Sequence, residues 1–307
     1  MTTVFAALLL AVLPACERKV LLDEDIYADV ALTADTSSAI GGALYRALTY
    51  DAATGRAAGF AFVAADGGTV PAPAGLTTVV LHTFGCESAV VGGEDHLDSL
   101  RAYTHAADAA QQQLWASLVR REACGGDAAA LAPLSSHVAW EPDAMWCAVL
   151  DSLPLPHRGP GERLVLTAAP APLYVSLGVR LRGVEGVQHL SAAQAWIDGA
   201  HDARLLRSGA PAGAAAVPFR LFRDGDDLVG TVRCFGVAPG ALLQLLLTDS
   251  GGASFRYAWR LSSLEEGPDG FLTADSGIVV DEPAVPSGGG FLPTLEDWLT
   301  KVVPVRL

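Results

Sequence analysis

The stretch that decides the fold is Pro218-Phe219-Arg220-Leu221-Phe222-Arg223-Asp224-Gly225-Asp226-Asp227-Leu228-Val229-Gly230-Thr231-Val232-Arg233-Cys234-Phe235. Two mainly apolar runs flank an Asp-Gly step, and this arrangement is a strong local signal for a β-hairpin. A second hairpin follows, with strands at 242–248 and 254–261 joined by Asp249-Ser250-Gly251-Gly252. Consecutive hairpins of this kind predict an antiparallel sheet.

Period-two alternation of apolar and polar residues recurs along the rest of the chain and predicts further short strands. They are expected at 26–33, 42–50, 57–64, 76–84, 146–150, 163–168, 173–181, 277–281 and 301–306. Short strands separated by turn residues favour antiparallel sandwiches over alternating strands and helices. Pro170 and Pro172 mark a point where a ladder cannot continue uninterrupted. The sequence therefore predicts an all-β fold of two tandem β-sandwich domains, 16–170 and 171–307.

Two segments depart from this alternation. Leu114, Trp115, Leu118 and Val119 fall on one helical face, so 109–121 is expected to form a short helix or a long excursion between strands. The segment 191–206 is ambiguous, because Ser191 could cap a helix while its neighbours weaken the helical period.

The N-terminus carries an apolar run, residues 4–15, that ends in Leu13-Pro14-Ala15-Cys16. The run is too short to span a bilayer but fits the apolar region of a signal peptide. We therefore expect residues 1–15 to be a signal peptide and Cys16 to be lipidated, so that the mature chain is tethered to a membrane. The alternative is a buried N-terminal helix with an incidental cysteine.

Composition excludes some partners. The 307 residues include 34 Asp and Glu against 20 Lys and Arg, a formal net charge of −14. No stripe of basic residues is available to neutralise phosphates, so nucleic acid is not an expected partner.

Four cysteines remain after Cys16, namely Cys86, Cys124, Cys147 and Cys234. None forms the close pair that zinc sites draw from sequence, so a structural zinc site is not expected. Disulfides and buried free thiols both stay open, because export allows the first and a β core allows the second.

Chemical motifs are few. The densest acidic and imidazole group is Glu94-Asp95-His96-Leu97-Asp98, which we interpret as a polar loop in preference to a metal site. The turn with Asp224, Asp226 and Asp227 lacks the length of a calcium loop, and Ser287-Gly288-Gly289-Gly290 lacks a phosphate-loop ending. No serine elbow is present. We assign no catalytic residue, cofactor or metal, and we expect the tryptophans to be mainly core. They are Trp115, Trp140, Trp146, Trp196, Trp259 and Trp298.

Several segments together resemble a known family. They are Cys16-Glu17-Arg18, Pro142-Asp143-Ala144-Met145-Trp146, Pro172-Leu173-Tyr174-Val175, Gly230-Thr231-Val232-Arg233-Cys234-Phe235-Gly236, the hairpin after Leu242, and Gly288-Gly289-Gly290-Phe291 with Asp297-Trp298. The pattern is similar to the fimbrillin-like lipoproteins of Bacteroides-type bacteria, in a domain-of-unknown-function branch related to fimbrial anchor and tip subunits.

This resemblance implies tandem transthyretin-like, Greek-key sandwiches, lipidation at Cys16, display on the outer membrane and no enzymatic activity. The leading hypothesis is a fimbrial accessory, anchor or adhesin-like subunit that joins other subunits by strand addition. The strand at 301–307 is a candidate for donation or closure. The alternative is a glycan-binding surface lipoprotein of a nutrient-uptake system, which an exposed row of Trp or Tyr would favour. An exported hydrolase is the least favoured reading.

Overall fold

The computed structural model describes residues 26–32, 44–159 and 162–282. Several predicted features lie outside these residues: the signal peptide, Cys16, the glycine-rich loop at 287–290, Trp298 and the strand at 301–306. Among the described residues, no helix is both long and apolar enough to cross a membrane. The predicted all-β class is confirmed, because antiparallel sheets dominate the described residues.

The described part of the chain contains the following strands, in chain order: β1 (Tyr27–Leu32), β2 (Leu44–Asp51), β3 (Ala57–Ala64), β4 (Gly68–Pro71), β5 (Gly75–Thr83), β6 (Ala89–Gly92), β7 (Arg101–Thr104), β8 (Ala123–Gly125), β9 (Trp146–Leu155), β10 (Val165–Ala168), β11 (Ala171–Pro172), β12 (Val175–Arg182), β13 (Leu190–Ala200), β14 (Ala203–Leu205), β15 (Pro211–Ala212), β16 (Ala215–Arg220), β17 (Phe222–Asp224), β18 (Asp227–Cys234), β19 (Val237–Asp249), β20 (Ser254–Arg260), β21 (Glu265–Glu266) and β22 (Phe271–Asp275). Helix α1 (Ala109–Leu118) lies between β7 and β8.

These strands form two pairs of sheets. In the first half of the chain, a sheet in the order β11-β9-β5-β2-β3 and a sheet in the order β10-β1-β4 supply one apolar core. In the second half, the orders are β17-β18-β12-β22-β21 and β16-β13-β19-β20-β8, and the core between them is the largest. A small sheet, β15-β14-β7-β6, joins strands from both halves.

The opening hairpin forms at its turn, but its predicted first strand at 218–222 is divided: 218–220 belong to β16, which pairs with β13 in another sheet, and only β17 pairs across the turn. Strand β17 pairs antiparallel with β18, and Asp224 stands opposite Asp227. Gly225 takes a φ of 65°, a left-handed conformation that a residue with a Cβ adopts only with strain. The second hairpin, β19 and β20, also forms, with Thr248 opposite Ser254.

The ambiguous segment 191–206 is a strand. Strand β13 lies between β16 and β19 in the interior of its sheet, where Trp196 and Ile197 are fully buried. Its ladder shifts register at Gly199, which has a φ of 88°. Burial on both faces explains why neither a period of two nor a helical period was clear from the sequence.

The predicted strand at 277–281 is wrong. This stretch contributes only an isolated bridge between Val279 and Glu185, and the strand lies earlier, at β22. Gly277 has a φ of 57°, which turns the backbone out of the ladder. The helix is present, but it ends at Leu118 and not at 121.

Several short strands were not predicted, among them β4, β6, β7, β8 and β15. Pro172 does lie at a sheet edge, in β11, where its missing N–H costs least.

Two further cores combine residues from both halves. Trp115 and Leu118 of α1 pack with Trp196 and Leu246 of the second half. Leu48 and other residues of the first half pack with Leu206 and Phe235. The segment before residue 170 thus packs on strands after it, and the domain boundary at 170 stays a prediction.

Candidate interaction surface

The acidic and imidazole loop at 94–98 is held by contacts within the chain. Both carboxylate oxygens of Glu94 bind the Arg46 guanidinium, at 2.7 and 2.6 Å. His96 Nδ1 accepts a hydrogen bond from the Asp98 backbone N–H at 3.2 Å. Leu97 is fully buried between these polar neighbours. The contacts fit the polar-loop interpretation, and no group of three or more His, Cys, Asp or Glu side chains within the described residues is arranged to hold a metal ion.

The aspartates of the β17–β18 turn are engaged by an arginine. Arg180 Nη1 lies 3.2 Å from Asp224 and 3.1 Å from Asp227, and its Nη2 lies 3.4 Å from Asp269. A guanidinium therefore occupies the position where a cation would be needed to offset these carboxylates.

The tryptophans are mainly core, as predicted. Trp115, Trp196 and Trp259 are buried, whereas Trp140 and Trp146 are half-buried.

All four described cysteines are free thiols. Burial raises the pKa of Cys147 to about 12 and that of Cys86 to about 11. Cys234 lies in the main core of the second half, whereas Cys124 is exposed. Of the two states that the sequence left open, the structure shows the unpaired one.

The next feature is the protection of strand edges, because an uncovered edge is where a partner chain can add a strand. Residues 105–141, which we call the clamp segment, bond to the outer sides of both β16 and β20. On the β20 side the segment contributes β8, which pairs with β20 in parallel and is the last strand of the β16-β13-β19-β20-β8 sheet. On the β16 side, the Ala216 backbone N–H donates to the His137 carbonyl at 2.9 Å, and the Ala139 N–H donates to the Ala216 carbonyl at 3.1 Å. The outer sides of β16 and β20 are therefore bonded by the chain itself.

A buried polar network fixes the clamp segment. Asp198 is fully buried and accepts hydrogen bonds from the backbone N–H groups of Leu134 at 2.9 Å and Ser135 at 2.8 Å. Gln244 donates to the same carboxylate at 3.3 Å and accepts from Arg256 Nε at 3.2 Å. Because unpaired buried groups are costly, these contacts hold the clamp segment in one position.

Strand β18 also has an uncovered part, beyond the three residues that pair with β17. Glu141, at the end of the clamp segment, caps it. Its carboxylate accepts from the Arg233 backbone N–H at 3.1 Å and from the Arg233 Nε at 2.8 Å. A side chain thus replaces the strand that could otherwise pair there.

Strand β3 is different. It pairs with β2 on one side, and on the other its two ends are bonded: the Ala57 N–H donates to the Asp95 carbonyl at 3.2 Å, and the Ala64 carbonyl accepts from the Gly67 N–H at 3.0 Å. Strand β4 follows after this turn and packs on β3, but among the described residues no strand forms a ladder with 58–63 on that side. The strand contains no charged residue and no proline, which are the residues that usually protect an edge.

An exposed apolar patch includes side chains of β3 and its neighbours. Phe60, Phe62, Phe84 and Leu44 are 57%, 48%, 45% and 40% exposed. The Phe62 ring packs edge-on against Phe84 at 4.8 Å and Phe60 at 6.2 Å between ring centroids. The Arg46 guanidinium lies 5.0 Å from the centroid of Phe60, so the pair Arg46–Glu94 borders the patch without adding net charge. We call Leu44, Phe60, Phe62 and Phe84 the aromatic patch.

A cleft of about 170 Å³ is lined by Phe84 of the aromatic patch and by Arg46 beside it. Its wall includes His82, which is 3% exposed and whose Nδ1 lies 2.9 Å from the Thr83 carbonyl oxygen. Burial lowers the pKa of His82, so the neutral ring donates from Nδ1 at neutral pH. Its Nε2 is buried and has no hydrogen-bond partner among the described residues.

Sequence reasoning found strand β3 but did not identify the patch. The signal was available, because Phe60 and Phe62 alternate with small residues in a strand without charge. It was not decisive, since the same pattern also fits a strand whose aromatic side chains face a core.

The fold and this surface define a class: an all-β protein of stacked sandwiches that presents an apolar strand edge. The chain belongs to the family described as a domain of unknown function, DUF5119, whose model matches residues 15–217. No curated protein matches the chain.

Solved structures are similar to this chain to different degrees. A candidate adhesin from Bacteroides ovatus ATCC 8483 is similar with a TM-score of 0.63 at 16% identity, over 88% of this chain and 98% of that one. A second candidate adhesin from Bacteroides ovatus gives a TM-score of 0.48 at 9% identity, over 83% and 88% of the two chains. The fimbrial anchor protein Mfa2 from Porphyromonas gingivalis gives 0.47 at 12% identity, over 75% and 80%.

Proposed function

We propose that this protein is a cell-surface subunit that works through protein–protein contacts, as a fimbrial accessory, anchor or adhesin-like subunit. The observation that carries the proposal is the exposed aromatic patch on and beside β3. Contiguous exposed apolar surface on a soluble domain usually marks an interaction site. The shared fold with a candidate adhesin and the sequence resemblance to fimbrial lipoproteins support the same role.

The proposal includes the tether. Lipid on Cys16 would hold the mature chain at the outer membrane with its sandwiches displayed outside, and no catalytic step is needed. An acyl-chain analogue should label the wild-type chain and fail to label a Cys16→Ser variant. Label that persists in the variant would remove the tether from the proposal.

No specific observation on the described residues favours the glycan-binding alternative. The exposed row consists of phenylalanines, which lack the polar group that Tyr and Trp offer to a sugar hydroxyl. The described tryptophans are buried or half-buried.

The proposal is tested by removing the patch and measuring assembly. A Phe60→Ser, Phe62→Ser variant is compared with Phe222→Ser, which removes a phenylalanine that is 64% exposed on the edge strand β17. The readout is the fraction of the cellular chain recovered in purified fimbriae of the bacterium that encodes it. We expect at least a tenfold loss for the double variant and none for Phe222→Ser. Equal recovery of all three proteins, with matching circular dichroism, would overturn the proposal.

A further inference from the structure

A second, larger cleft lies where β16 leaves β13, and we call it the β13 cleft. Its volume is about 500 Å³, which is typical of a binding pocket. Strand β16 pairs with β13 only as far as Gln194, and the next backbone hydrogen bond runs from the Leu221 N–H to the Ala193 carbonyl at 3.1 Å. The chain then enters β17, in the other sheet. Among the described residues, the start of β13 at 190–192 therefore has no strand beside it on this side.

The β13 cleft is cationic although the chain is acidic. Arg220 and Arg223 line it, and none of its lining residues is acidic. Both arginines are exposed, and neither forms an ion pair within the described residues. The apolar lining includes Leu190 and Phe222, the second of which is 64% exposed. This surface suits a segment that carries neighbouring carboxylates and a large apolar side chain.

The described part of the chain ends beside this cleft. The Val280 N–H donates to the Glu185 carbonyl at 2.9 Å, and Val187, which is close to Glu185 in the chain, lines the cleft. Residues 283–294 connect the last described residue to the stretch Leu295-Glu296-Asp297-Trp298-Leu299, which we call the acidic segment. A connection of this length spans up to about 40 Å, so the acidic segment can reach the cleft while the described strands stay in place.

We infer that the acidic segment docks in the β13 cleft of its own molecule. The carboxylates of Glu296 and Asp297 pair with the two arginines of the cleft, and Trp298 packs on the exposed Phe222 ring. Tethering holds the segment near its site at an effective concentration on the order of 1 mM, so a dissociation constant on the order of 0.1 mM keeps it docked in about nine of ten molecules. The inference goes beyond the proposed function, because the β13 cleft and the aromatic patch have no residue in common.

Cleavage by a lysine-specific protease measures the docking, because the chain contains only two lysines, Lys19 and Lys301. Lys301 follows the acidic segment closely, and Lys19 precedes β1 and serves as the internal reference. A protease cuts the undocked state, so docking slows cleavage at Lys301. Mass spectrometry of the full-length chain carrying Cys16→Ser follows the loss of residues 302–307. We expect Arg220→Glu, Arg223→Glu to accelerate this loss at least fivefold and to leave cleavage at Lys19 unchanged.

The charge-matched control is Arg56→Glu, Arg101→Glu, which reverses two exposed arginines in the first half of the chain. Its cleavage rates should equal those of the wild type. Reversal of the segment by Glu296→Arg, Asp297→Arg should accelerate cleavage at Lys301 as the cleft variant does. Because the combined variant pairs the exchanged charges again, it should restore the protection.

Protein concentration separates the two occupants that the cleft could hold. Docking within one molecule gives a protection of Lys301 that does not change with concentration. Protection that arises only at high concentration would show that a second copy supplies the segment, and equal cleavage of the wild type and the Arg220→Glu, Arg223→Glu variant would show that the segment does not dock. Either result overturns the inference, and neither affects the proposed function, which depends on the fimbrial recovery of the Phe60→Ser, Phe62→Ser variant.

Discussion

Replacement of Asp198 by alanine tests how the clamp segment is held. Its carboxylate accepts from the Leu134 and Ser135 backbone N–H groups and from the Gln244 amide, all in the interior. The variant leaves these three donors without an acceptor while α1 and β8 keep their own contacts. The expected result is that the clamp segment detaches from the β16-β13-β19-β20-β8 sheet before the rest of the protein unfolds.

The magnitude follows from the donors. A buried donor without a partner costs about 1–3 kcal/mol, and removal of one member of a buried charged network typically costs 3–5 kcal/mol. The variant also no longer buries a charged carboxylate, and the desolvation cost saved in this way offsets part of the loss. We therefore expect a loss of about 3–5 kcal/mol, a large share of the 5–15 kcal/mol that stabilises a typical protein.

Urea unfolding measures this loss, and hydrogen exchange at the Leu134 and Ser135 amides shows where it occurs. The control is Asp127→Ala, on the same segment, where an exposed carboxylate accepts from the Arg260 N–H at 2.9 Å. It should cost less than about 1 kcal/mol. Equal losses for the two variants, or unchanged exchange at Leu134 and Ser135, would refute the network as the anchor of the clamp segment.

Three further predictions concern single groups. Burial lowers the pKa of His82 in the folded protein, so as the pH drops this side chain is protonated in the unfolded chain before it is protonated in the folded one. The free energy of unfolding should therefore fall below about pH 6.5, by up to about 1.4 kcal/mol per pH unit. His82→Gln should remove that slope in urea titrations and exposed His105→Gln should keep it; identical slopes would contradict the assignment. A thiol reagent should label Cys124 in the native protein and Cys147 only after unfolding, as read by mass spectrometry; early labelling of Cys147 would show that its site is open. Glu141→Ala should cost about 1 kcal/mol in thermal unfolding, because the Arg233 N–H loses its acceptor at a half-exposed edge, and no change would mean that water replaces it.

The sequence predicted the elements that depend on local chemistry. The turn at Gly225 and the alternation of β3 and β2 are encoded by neighbouring residues, and the helical face of Trp115 and Leu118 is visible in their spacing. Strand β13 was ambiguous because it is buried on both faces, so its side chains carry no alternation. Strands β7 and β8 are short and exist through pairing with β14 and β20, which are far away in the sequence. No local signal reports such a pairing.

The interaction surface could be predicted only in part. Its residues are visible in the sequence, but their exposure depends on which edges the rest of the chain covers. The clamp segment bonds to β16 and β20 and Glu141 caps β18, whereas the side chains of Phe60 and Phe62 on β3 are left exposed. That difference is a property of the assembled fold.

The central claim is that β3 forms the contact with other proteins at the cell surface. The most direct measurement places a photoreactive amino acid at Ala58, on the edge of β3, or at the exposed Ala253 in the β19–β20 turn, and irradiates intact cells. The account predicts a discrete cross-linked protein product from position 58 and none from position 253. Products of equal yield from both positions, or a product from position 253 alone, would contradict it.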